Sequence, residues 1–136
     1  MDSGPLTAAF NTTDRWHAPV VERLKANERA RLHTTWPVVT EVCALLARRV
    51  TNDAALDFLR WIQRGAIVLD TAVEGSLTEV LRLSERFASL PFDLADASIA
   101  EAAARLRIRH VLSIDADFDV YRDRAGWPLV NLLRPS

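Results

Sequence analysis

In the stretch VLSIDADFDVY, residues 111–121, four apolar or small residues lead straight into Asp115, Asp117 and Asp119. Carboxylates that follow an apolar run sit where a buried strand leaves its sheet, and hard oxygen donors there suit a divalent cation. Three alternating acids also make a solvated turn, and a motif this short does not separate the two readings. The stretch PFDLADASIAEAAARL, 91–106, adds Asp93 and Asp96, which share one face of a helix's first turn. Asp93 reads as the N-cap, and Asp96 as an acid favoured by the helix dipole. Asp96 has a second role open to it, because its helix runs directly into the strand that ends at Asp115, so one connection can bring both carboxylates to one sheet edge. Glu41, in PVVTEVCALL, has apolar or small neighbours and is either a snorkelling surface acid or an inward charge. Asp2, in MDSGPLTAAF, precedes Gly4 and Pro5, a pair suited to a tight passage from strand to helix.

Four acids from four segments can share one site only if a cation compensates them, since like charges about 4 Å apart repel by roughly 1 to 4 kcal/mol. Oxygen ligands alone imply Mg²⁺ or Mn²⁺ rather than zinc. His17, His33 and His110 have no zinc-like spacing, and Cys43 has no partner cysteine. Neither Ser3 nor Ser113 lies in a nucleophile-elbow glycine pattern. Trp16, Trp36, Trp61 and Trp127 lie outside any Arg-rich aromatic cluster, and so read as core or dimer-interface residues rather than base-stacking platforms.

The elements that must position these acids follow from periodicity. Residues 31–36, 66–70, 109–114 and 128–133 read as short apolar strands, and 38–50, 53–65, 75–90 and 93–106 as amphipathic helices. Strands separated by helices predict βαβ units, hence a parallel, three-layer α/β sheet whose ligand site lies outside the carboxyl ends of the strands. The 136 residues fit one domain, 1–136, with a single core. A net charge of −1 excludes a generally basic nucleic-acid binder, so any such contact is local. Every basic residue except Lys25 is arginine, which suits bidentate phosphate pairing. A lone cysteine and the lack of a long apolar run predict a soluble protein of the reducing cytoplasm, with no membrane partner.

The order DSGPL at 2–6, TEV at 40–42, Asp93 and Asp96 leading ASIAEAAARL, and VLSIDADFDVYR at 111–122 resembles the PIN-domain ribonucleases, and among them the VapC toxins of toxin–antitoxin pairs. The resemblance spans almost the whole chain. It implies an α/β/α PIN-like fold with a mainly parallel sheet, and a metal-dependent endoribonuclease that hydrolyses RNA phosphodiester bonds with Mg²⁺ or Mn²⁺. Asp2, Glu41, Asp96 and Asp115 match the family's four acidic positions, and Asp117 a frequent fifth. By this likeness Asp2, Asp96 and Asp115 hold the principal metal, while Glu41 and Asp117 act through water or at a second ion. Ser3 and Ser113 fall where the family often has a hydroxyl beside an acid, and Arg122 is the first candidate for gripping flanking phosphates. A cognate antitoxin protein and a homodimer are the implied partners. Family chains carry several apolar residues of a central strand before the first acid, whereas Asp2 here directly follows Met1, so the first strand is expected to be truncated.

Two rival readings stand beside this one. A PIN-like module that has lost catalysis and only binds protein or RNA would suit the truncated strand, though it leaves four retained acids unexplained. An aspartate-based phosphotransfer enzyme needs a lysine site, and Lys25 is the sole lysine.

Overall fold

The computed structural model describes residues 1–90 and 92–133. Seven helices and four strands occupy them: α1 (Ser3–Ala9), α2 (His17–Ala26), β1 (His33–Thr35), α3 (Trp36–Arg49), α4 (Asn52–Gln63), β2 (Val68–Asp70), α5 (Ser76–Arg86), α6 (Leu94–Leu106), β3 (His110–Val111), α7 (Asp117–Val120) and β4 (Val130–Asn131). Each strand falls inside an expected apolar run, and α3 to α6 lie where the helical spacing put them. The periodicity did not reveal α2 or α7; α2 has a single fully buried residue, Val20, and α7 is one turn long.

All strand pairing is parallel. β1 pairs with β2, with His33 opposite Val68 and Thr35 opposite Asp70; β3 pairs with β4, with His110 opposite Val130. Among the described residues the two pairs do not bond to each other directly. They meet through the first two residues: the Met1 ammonium donates to the His33 carbonyl at 2.6 Å, and the Asp2 N–H to the Leu112 carbonyl at 3.0 Å. Thr34 Oγ1 donates to the Met1 carbonyl at 2.9 Å, fastening the same joint from β1. Met1 and Asp2 thus form a two-residue seam between the two strand pairs.

Side-chain caps fix where the helices start. Asp2, in extended backbone, accepts the Ser3 N–H and opens α1; Thr51 accepts the Ala54 N–H and opens α4; Asp93 accepts the Asp96 N–H and opens α6. Pro37 in the first turn of α3 needs no hydrogen-bond partner for the amide it lacks. Gly4 in α1 sits where a Cβ would come within 3.3 Å of the Ile114 side chain, so α1 approaches the exit of β3 closely. α6 packs on β1, α3 and α5, and almost every residue from Ala95 to Ala103 is buried, small residues letting the helix settle on the strands. Phe58, Leu6, Leu46, Val38 and Val42 fill the α1–α3–α4 side of the core, and Phe87, Phe92, Phe118 and Tyr121 form an aromatic cluster beneath α7. Of the tryptophans, Trp16 and Trp61 pack against the core as expected, whereas Trp36 and Trp127 are more than half exposed. Among the described residues no helix is long and apolar enough to cross a membrane.

In α6 and at the end of β2, buried charge is paired. Glu101, buried in α6, accepts from Ser76 Oγ at 2.7 Å and from Arg105, which also grips Asp70 at the end of β2 with a 2.6 Å contact. Arg105→Ala leaves Glu101 buried without its cation and should lower the unfolding free energy by about 3 kcal/mol in urea titration. Adding Glu101→Ala should cost less than the sum of the single changes; strict additivity would show that the two side chains do not act as one unit.

Candidate active site

Asp2 is held more firmly than any other acid of the expected set. Its backbone lies in the seam, its side chain is 1 % exposed, Oδ1 accepts the Ser3 N–H at 2.8 Å, and Oδ2 accepts the Ser113 hydroxyl at 3.0 Å. The Ser113 oxygen in turn accepts the Asp115 N–H at 3.2 Å, so one hydroxyl ties the carboxylate of the seam to the backbone of the β3 exit. Ser113 is itself clamped by Asn131 of β4, whose amide accepts the Ser113 N–H at 3.2 Å and donates to the Ser113 carbonyl at 3.0 Å. Asn131 was not singled out in the sequence; its signal there is one amide inside the apolar run PLVNLL. It is a positioning residue, acting on Asp2 and Asp115 through Ser113.

Asp96 is buried in the first turn of α6, with its N–H on the Asp93 carboxylate at 2.9 Å. Burial first, then the charges of Asp2, Asp93 and Asp117, push its carboxyl up to about 8. Asp117, half-buried at the start of α7, is raised by burial and by Asp115 and Asp93. Asp2 is raised as well, burial outweighing the hydrogen bonds from Ser3 and Ser113 and the attraction of the Met1 ammonium. That ammonium is lowered to about 6, because its burial outweighs the attraction of Asp2. Asp115 is exposed at the mouth of the group. No arginine, lysine or histidine forms an ion pair with Asp2, Asp96, Asp115 or Asp117 among the described residues.

The structure therefore brings Asp2, Asp96, Asp115 and Asp117 into one mutually repelling group. It adds Asp93, which caps α6 as expected and also pushes on Asp96 and Asp117. The structure does not bring Glu41 into that group: it lies half-buried on α3, and among the described residues no hydrogen bond joins it to these acids. Arg122 is exposed, with Nη1 donating to the carbonyls of Asp119 and Tyr121, which fixes its side chain beside α7. Ser3 contributes its backbone N–H, and Ser113 its hydroxyl, to Asp2. As the side chains stand, no three His, Cys, Asp or Glu among the described residues are placed to enclose an ion, so ligation requires carboxylates to rotate toward one another. In kind and charge the set fits a hard divalent cation: Asp2, Asp96 and Asp117 are raised by burial and, after it, by neighbouring carboxylates, and among the described residues no basic side chain pairs with them.

A parallel-stranded α/β core with acids from the seam, α6 and the β3 exit gathered at one end is the arrangement that the resemblance to PIN-domain ribonucleases implies. The chain is 30 % identical over 115 residues to Ribonuclease VapC26 of Mycobacterium tuberculosis, a match covering 85 % of this chain and 84 % of that protein. Its fold superposes on the crystal structure of M. tuberculosis VapC20, described as a sarcin–ricin loop cleaving toxin, with a TM-score of 0.81, 20 % identity and 95 % of each chain covered. No family model matches the sequence. The chain belongs to the VapC ribonucleases, toxins that act by cleaving RNA.

The raised Asp96 carboxyl has a signed consequence for stability. An acid whose folded value lies above its unfolded one costs nothing below about pH 4, where it is protonated in both states, and its cost grows as pH rises toward 8. Asp96→Asn should therefore raise the melting temperature in EDTA by little at pH 5 and by several degrees at pH 8. The Met1 ammonium works in the opposite sense between pH 6 and 8, but it is common to both proteins and cancels in the comparison. A pH-independent difference would show that Asp96 is not held protonated by its neighbours.

Proposed function

We propose that this protein is a metal-dependent endoribonuclease, the toxin of a type II toxin–antitoxin pair, that hydrolyses phosphodiester bonds in single-stranded or looped RNA in the cytoplasm. The observation that carries the metal requirement is Asp96: a buried carboxyl whose charged neighbours are all carboxylates. Only a cation arriving with, or ahead of, the phosphate lets these groups ionise together near pH 7. Mg²⁺ or Mn²⁺, when bound, supplies a Lewis acid for the phosphate and an acidified water for in-line attack.

The chain's own residues do the remaining work. Asp2, whose carboxylate is held by Ser3 and Ser113, presents its oxygens from a fixed direction, and Asp96 stands buried in the first turn of α6. Asp115 is the mobile-side ligand, exposed where RNA approaches, and Asp117 serves at its edge. Glu41 acts from a distance through water. Asn131 keeps Ser113, and so Asp2 and Asp115, in register. Arg122 meets a flanking phosphate with the guanidinium nitrogen that its backbone bonds leave over. The antitoxin and a second copy of the chain are the proposed protein partners.

The reading is tested with total RNA and with a sarcin–ricin-loop hairpin, in Mn²⁺ and in EDTA. Cleavage should need the metal, and Asp115→Asn should lower it by about 100-fold while RNA binding persists. Glu41→Gln should cost less than Asp115→Asn, since no bond joins Glu41 to the group. Asp119→Asn should cut like the parent. If Asp115→Asn cuts as well as the parent, or if EDTA changes nothing, the protein is a PIN-like binding module instead.

A further inference from the structure

Toward the C-terminal end of α6, a cavity of about 570 Å³ opens between that helix, the residues leading into β3 and the loop after α7. Arg105 on its wall stands nine residues on from Asp96, about 14 Å along the helix axis, so the cavity is separate from the acidic group. Five guanidinium groups line it, from Arg82, Arg105, Arg107, Arg109 and Arg124, against three carboxylates. The carboxylates fix the arginines without using them up: Glu79 takes Arg82 at 2.6 Å and Arg124 at 2.8 Å, and Asp123 takes Nη1 of Arg109 at 2.6 Å. Among the described residues this leaves Nη1 of Arg82, and Nε and Nη2 of Arg109, without a protein acceptor. Arg107 forms no ion pair among the described residues, and it closes α6 at a φ of 57°, a left-handed position that glycine takes at least cost. Tyr121 supplies an independent signal. It lines the cavity at 3 % exposure, its hydroxyl makes no hydrogen bond among the described residues, and the charges of Asp123, Glu79, Arg82 and Arg109 all bear on it.

We propose that this cavity is a nucleotide-binding site, in which Arg107, Arg109 and the Tyr121 hydroxyl receive the phosphate and the base lies on the apolar wall of Ile108 and Leu129. Guanidinium nitrogens left over beside fixed partners, a surplus of positive charge and a buried hydroxyl without an acceptor together make a receptor for an oxyanion, and the planar guanidinium fork matches phosphate. A bare phosphate would leave most of the volume empty, whereas Ala103, Ala104, Ile108 and Leu129 give the remainder an apolar surface. The loop that brings Arg124 is pinned by Asp123, which accepts the N–H groups of Ala125 at 2.9 Å and Trp127 at 2.8 Å. That loop also leaves the Trp127 indole 61 % exposed, a flat surface suited to stacking on a base. The ligand chemistry is a nucleotide phosphate ester, free or within an RNA strand. The site does not rest on the ribonuclease reading, since none of Asp2, Asp96, Asp115 and Asp117 lines the cavity.

Titration calorimetry in EDTA, where the uncompensated carboxylates repel phosphate, tests it with inorganic phosphate, uridine monophosphate and a short oligouridine. The mononucleotide should bind more tightly than phosphate. Arg107→Gly removes the guanidinium and relieves the backbone, so it should melt no lower than the parent while weakening the nucleotide about tenfold. Tyr121→Phe deletes only the hydroxyl and should weaken it about fivefold with the melting temperature kept. Oligouridine that binds more tightly than the mononucleotide, and loses affinity in both variants, identifies the source as an RNA strand; oligouridine that binds no more tightly identifies a free nucleotide. Undiminished nucleotide affinity in both variants, or phosphate binding as tightly as the nucleotide, would overturn the proposal. Cleavage is read separately, in Mn²⁺: a protein that cuts RNA but binds no nucleotide in EDTA sinks the cavity alone, and one that binds through Arg107 but never cuts counts against the ribonuclease reading alone.

Discussion

The seam at Met1 and Asp2 is the constraint on which the rest depends. A two-residue extended segment joins β1 to the β3 exit, caps α1 and delivers a buried carboxylate to the ends of the strands. Each task restricts the others. The Asp2 N–H must reach Leu112, its Oδ1 must turn back to Ser3, and its Oδ2 is left for Ser113. The carboxylate has little freedom once these bonds form. This is why an aspartate with an ordinary capping role can also be a fixed component of a site.

Two kinds of acid coexist in the fold, and their partners distinguish them. Glu79, bridged by Arg82 and Arg124, is held down to about 2, and Asp123 is lowered by backbone N–H groups of Trp127 and Ala125 and by Arg109. Glu101 and Asp70 share Arg105. With arginines this plentiful, Asp2, Asp96, Asp115 and Asp117 could have been paired in the same way. They are not, and Asp2, Asp96 and Asp117 are raised instead. Leaving them uncompensated costs stability that the rest of the core has to offset, a pattern typical of functional sites.

Legibility in the sequence followed burial. The strands and α3 to α6 could be read because each turns an apolar face or run to the core, and Asp2, Asp96 and Asp115 because each stands at the end of such an element. Position relative to a strand end is readable; distance across the fold is not. Glu41 matched a family position and sat among apolar neighbours, but whether α3 turns it toward the other acids depends on helix rotation, which two flanking valines do not settle. Asp93 was legible as a cap, and its repulsion of Asp117 was not, because that needs the fold of α7 against α6. Asn131 was missed for a related reason: an amide in a strand has no chemistry until its partner, Ser113, is known to lie beside it.

The division between held and exposed carboxylates suggests how such a site discriminates among occupants. Asp2 and Asp96 are both buried, and the Asp2 oxygens are held by the Ser3 N–H and the Ser113 hydroxyl. Asp115 is exposed, and its backbone is tied to Asp2 only through the Ser113 hydroxyl. An ion bound by Asp2 and Asp96 alone would be underfilled, since hard divalent cations take six or more oxygens. The shortfall must come from Asp115, water and the phosphate oxygens of a substrate. On the proposed metal-dependent reading, full compensation of the acidic group would be reached when phosphate, metal and the β3 exit come together, which would couple substrate binding to the assembly of the site through charge.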